Sequence, residues 1–73
     1  MDVNVSDLVE AKRQINSTLH KLKETVKTFE AKENPAKYKS QITLAKRRIK
    51  AFKISEYLIE REINDFHEKT NSK

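Results

Sequence analysis

Glu33-Asn34-Pro35 parts two runs of apolar residues, and the reading of this junction decides the fold. Upstream, Leu8, Ile15, Leu19, Leu22, Val26 and Phe29 recur at alternating spacings of three and four, with Lys12 standing in the one gap of the series. Downstream, Tyr38, Ile42, Ala45, Ile49, Phe52, Ile59, Ile63 and Phe66 do the same, with Glu56 in the gap. That spacing is the signature of one face of a helix. A break of two or three residues between two such faces leaves room only for a reversal. The expected fold is therefore all-α, an antiparallel, coiled-coil-like hairpin of two helices in one domain spanning residues 1–73.

The boundaries follow from local chemistry. Asn4 can cap the free amides of the first turn, with Asp7 in the capping-box position and Val3 against Leu8 as a hydrophobic staple. Helix 1 then runs from about 5 to 32, roughly 42 Å at 1.5 Å per residue. Residues 33–34 turn. Asn34 caps helix 2, and Pro35 takes its first position, where a missing N–H is harmless. Helix 2 extends over about 35–68, and the polar tail 69–73 frays.

Assigning Val5, Lys12, Leu19 and Val26 to a positions makes Leu8, Ile15, Leu22 and Phe29 the d positions. Two antiparallel registers fit. One pairs residues whose numbers sum to 71, such as Leu19 with Phe52 and Val26 with Ala45. The other, one heptad away, sums to 64. In both, Lys12 and Glu56 fall in neighbouring layers. They either pair as a seam ion pair that fixes register or reach past the seam to water.

Helix 2 carries more apolar surface than a hairpin can cover. On a wheel of about 100° per residue, Leu44, Ala51, Ile54 and Leu58 form a second stripe almost opposite the first, interrupted by Arg47. Full burial of an Ile or Leu side chain is worth about 1.5–3 kcal/mol, so this stripe favours a partner surface. A second copy is the nearest candidate. The hairpin is expected to assemble into a four-helix bundle or a larger homo-oligomer through these four residues. The chain has 73 residues and no cysteine, so no disulfide or cysteine–zinc site reinforces its core.

Charge is distributed unevenly. The net charge is +5, yet 36–55 holds seven basic residues and no acidic one. Asp2, Asp7 and Glu10 sit at the far end of helix 1, and Glu56, Glu60, Glu62, Asp65 and Glu68 at the far end of helix 2. A folded hairpin is thus a rod, basic from the turn to its middle and acidic at its open end. Lys39, Lys46, Lys50 and Lys53 line one side of helix 2, with Tyr57 continuing the line. Such a stripe can follow phosphates or grip a multiply charged anion, and the tyrosine can stack on a base. Arg47 and Arg48 point toward the second apolar stripe, where a groove between copies would let them bind phosphate or carboxylate in bidentate fashion.

Catalysis has little to work with. There is no Gly-rich loop and no cysteine nucleophile, and His20 and His67 lie far apart. His20 with Glu24 is an isolated i,i+4 pair, more simply a surface contact than a metal site. The expectation is no enzyme, no cofactor and no metal. No segment has the apolar length of a membrane span or the pattern of a signal peptide, so the chain reads as cytoplasmic and a membrane partner is not expected. The favoured function is a small regulator, inhibitor or adaptor that binds a protein. The alternative is an anion-binding module, for nucleic acid or a nucleotide-like molecule held between copies.

Overall fold

The computed structural model describes the backbone of residues 1–71 and side chains through His67. Two helices, α1 (Val5–Glu30) and α2 (Lys39–Asn71), pack antiparallel, joined by a turn and a 3-10 segment, Pro35–Tyr38. The result is a rod of 59 × 21 × 15 Å. The all-α hairpin read from the spacing of apolar residues is the fold observed.

Helix α1 begins as its sequence dictates. The Asp7 amide donates to Asn4 Oδ1 at 2.8 Å, and the Asn4 amide donates back to Asp7 Oδ2 at 3.2 Å. Two of the otherwise unpaired donors of the first turn are thereby satisfied. At its other end α1 stops at Glu30, two residues before the expected limit. Ala31 remains in the right-handed region as the cap, its N–H bonded to the Lys27 carbonyl at 3.0 Å. The chain has no glycine, and no described residue has positive φ. The reversal is accordingly spread over 31–34 instead of a single left-handed residue.

Asn34 does not cap α2 with its side chain. Its carbonyl instead accepts from the Lys37 amide at 3.1 Å, closing a 3-10 turn that Pro35 opens. Regular α-helix therefore starts at Lys39, four residues later than expected. This tighter winding sets Tyr38 beside Phe29, with ring centroids 4.9 Å apart and planes tilted by 30°. The Lys32 ammonium lies 5.7 Å from the Tyr38 ring centre. This small aromatic cluster closes the turn end of the rod. At the open end α2 continues as helix to Asn71, beyond the expected limit at 68. Residues 72–73 of the tail expected to fray lie outside the described residues.

The core is a thin seam. Among the described residues only Leu19, Val26 and Ala45 are buried, at 5%, 8% and 6% exposure. Val5, Leu8, Ile15, Leu22 and Phe29 of α1 are half-buried, as are Ile42, Ile49, Phe52, Ile59, Ile63 and Phe66 of α2. Two helices meeting along one line can shield only the residues whose neighbours are themselves bulky on both sides. The sequence left the register open between sums of 71 and 64, and the cross-helix contacts select the first. Glu30 Oε2 meets Lys46 Nζ at 3.3 Å, and Lys12 meets Glu60. In the alternative register Glu30 would stand level with residue 34, about 18 Å along the helix from Lys46.

Candidate interaction surface

The outer face of α2 is built by the same periodicity that builds the core. The side of α2 turned away from α1 lies half a helix circumference from the seam. On that far side stand Leu44, Ala51, Ile54 and Leu58. All four are exposed, with Leu44 at 46%, Ile54 at 50% and Leu58 at 53%. The structure thus places the four sequence-derived residues on one unpartnered face. Arg47 interrupts them and Arg48 borders them, both exposed and neither in an ion pair among the described residues. Val9, at 52% exposure on α1, is an apolar residue that the seam pattern did not flag. It follows Leu8 directly, one step off the seam, and stands alone.

The basic side of α2 is less open than its sequence implied. Lys39, Lys50 and Lys53 are exposed and make no ion pair among the described residues. Lys46, in contrast, is held by Glu30 of α1. Both follow a seam residue directly, Phe29 and Ala45, and in an antiparallel hairpin such flanking positions meet across the joint. Tyr57 is 61% exposed, but its ring carries the Arg61 guanidinium 5.8 Å from the ring centre. The four lysines and the tyrosine therefore do not form one uninterrupted cationic track.

The seam ion pair forms with a different carboxylate. Lys12 pairs with Glu60, not with Glu56 one turn earlier. Glu60 follows the seam residue Ile59, so its side chain leaves from the border and can swing to the ammonium. Glu56 leaves from inside the seam and is half-buried. The Glu60 oxygen that meets Lys12 is shielded from solvent. The hydrogen bond to Glu60 raises the Lys12 pKa above its ordinary 10.5. Desolvation works in the opposite direction, while the charges of Glu60 and then Glu56 add to the rise. Because the folded value lies above the unfolded one, this stabilisation is complete below about pH 10.5 and fades as pH climbs through the folded value. We expect the urea midpoint of the wild type to fall more steeply above that pH than that of Lys12→Met. Parallel profiles of the two proteins would refute the assignment.

Other polar contacts are local. Glu10 accepts from the Gln14 amide at 3.0 Å and from Arg13, and these bonds hold its carboxyl below the ordinary range despite slight desolvation. Glu24 pairs with Lys27 at 3.5 Å, and among the described residues His20 and Glu24 form no ion pair. Among the described residues there is no pocket, and no three His, Asp or Glu side chains converge as metal ligands. No described helix is long and apolar enough to cross a membrane.

No protein-family model matches the chain, and no curated protein or solved structure is significantly similar to it.

Proposed function

We propose that this chain is a non-enzymatic interaction module, a small regulator, inhibitor or adaptor, that engages protein through the outer face of α2 and works as an oligomer. The observation carrying this reading is the half-exposed row of Leu44, Ile54 and Leu58 on a helix whose other apolar face is already occupied. Large side chains aligned at helical spacing differ from the scattered exposed residues of an ordinary surface, because one partner helix can bury them together. The area agrees. The chain exposes 6068 Å², whereas a compact monomer of its mass would expose about 4,700 Å².

Ile54→Asp tests the proposal. An ionised carboxylate in an apolar interface opposes association, while on an exposed hairpin surface it disturbs little. Light scattering is expected to give a mass above the 8.6 kDa of one chain for the wild type and a mass near it for the variant, with helical content unchanged. Unchanged mass together with unchanged partner binding would sink the proposal.

The second reading, an anion-binding module for nucleic acid or a nucleotide-like ligand between copies, draws on Lys39, Lys50, Lys53, Arg47 and Arg48, which lack carboxylate partners among the described residues. The same chromatographic peak discriminates the two. With two Tyr and no Trp, the protein absorbs weakly, and a bound nucleotide or nucleic acid would dominate near 260 nm.

A further inference from the structure

The outer face of α2 has a symmetry of its own. Arg47, Ala51, Ile54, Leu58, Arg61 and Asp65 follow one another at spacings of four, three, four, three and four. This is the repeat that keeps a seam on one side of a supercoiling helix. All six are exposed. Their positions mirror one another about residue 56: Ile54 with Leu58, Ala51 with Arg61, Arg47 with Asp65. The outermost members of the mirror are of opposite charge, and neither makes an ion pair among the described residues.

We propose that the occupant of this face is a second copy of the chain, docked antiparallel through α2 about a two-fold axis at the level of residue 56. The inference rests on the reading of the outer face as a binding surface and adds which partner covers it and in which direction. Two-fold docking sets Ile54 against Leu58 twice at the centre. On either side the small Ala51 leaves room for the aliphatic stem of Arg61. At the ends, Arg47 meets the carboxylate of Asp65, where a guanidinium can bind in bidentate fashion. Arg48, on the border, comes within two residues of the level of the second copy's Glu62.

Direction is decided by charge. A parallel pair would lay Arg47 on Arg47, Arg61 on Arg61 and Asp65 on Asp65. It would also align the seven basic residues of 36–55 with their own copies. Like charges at matched positions oppose association. The antiparallel pair instead sets this basic half against the half that holds Glu60, Glu62 and Asp65. Since the outer face lies nearly opposite the hairpin seam, the four helices stand in one layer, α1–α2–α2–α1, and do not close into a square bundle.

The absence of native cysteine makes a single spin label possible. Lys39→Cys places it at the start of α2, outside the proposed contact. Antiparallel docking about residue 56 separates two such labels by about 50 Å along the helix axis, at 1.5 Å per residue. The expected result is a two-chain particle by light scattering with one long distance by pulsed electron resonance. A distance below about 25 Å would mean parallel docking, given an interaxial spacing of roughly 8–10 Å, and would overturn the proposal. A monomeric wild type would overturn it as well, while leaving the face to a different protein. An oligomer whose mass Leu58→Asp leaves unchanged would show that this face is not the interface and would remove the proposed function with it.

Discussion

Leu19→Ala is expected to abolish most of the far-ultraviolet helical signal of the chain at low micromolar concentration. Leu19 is 5% exposed and forms the core with Val26 and Ala45, the two other buried apolar residues among those described. Truncating a buried leucine to alanine destabilises a protein by about 2–5 kcal/mol, through lost transfer energy and the cavity left behind. A core of this size supplies only about 3–5 kcal/mol. The loss therefore matches the whole margin. Val9→Ala is the control, because Val9 is 52% exposed and its truncation should move the urea midpoint by an amount equivalent to at most about 0.5 kcal/mol. Circular dichroism with urea titration reads both. A Leu19→Ala protein as helical and as resistant as the Val9→Ala protein would mean that the seam does not hold the hairpin together.

That the margin is thin follows from shape. A rod 59 Å long and 15–21 Å across has no interior in which a side chain is enclosed from every direction. Leu19 and Val26 approach that state because Phe52, Ile49 and Ala45 lie across from them in the observed register. Ala45 is itself buried, at 6% exposure. Toward the open end Lys12 takes a seam position, and its pairing with Glu60 closes the seam with a polar contact.

Much of this was legible before any coordinates. The seam residues announced themselves by spacing, Asn4 and Asp7 by their capping chemistry, and the reversal by Asn34-Pro35. The outer face was legible for a related reason. A helix that packs once needs one apolar stripe, so a second stripe on α2 stands out as excess. What escaped was whatever depends on small differences of energy between similar arrangements. A shift of one heptad again sets apolar residues against apolar residues, so seam composition does not separate the registers. The flanking pair Glu30 and Lys46 does, since it closes in only one of them. The choice between Glu56 and Glu60 for Lys12 is likewise a matter of which side chain leaves the seam border at the better angle. The early end of α1 at Glu30 and the 3-10 start of α2 reflect the demands of a reversal without glycine, and the Phe29–Tyr38 contact that spans it. Propensities within either helix carry no trace of that constraint.

A thin core joined to an uncovered apolar face makes stability depend on concentration, and this gives the second large expected effect. If two copies cover each other's outer face, folding and association are linked, and dilution withdraws the part of the stability that association provides. A hundredfold dilution removes about 2.7 kcal/mol per dimer, or roughly 1.4 kcal/mol per chain. For a domain of this size, 1 kcal/mol corresponds to about 4–8 °C, so the thermal midpoint should fall by about 5–10 °C across that range. Ile54→Asp with Leu58→Asp should lower the midpoint at high concentration and remove its dependence on concentration, since neither side chain takes part in the hairpin seam. Screening weakens the Arg47–Asp65 ends of the two-fold contact, so at a fixed concentration the wild-type midpoint should fall toward that of the double variant as ionic strength rises. A wild-type midpoint that holds constant over the hundredfold range, measured by circular dichroism in cells of different path length, would show that the hairpin is stable by itself. The narrow row of Leu19, Val26 and Ala45 would then be sufficient, against the argument from its size.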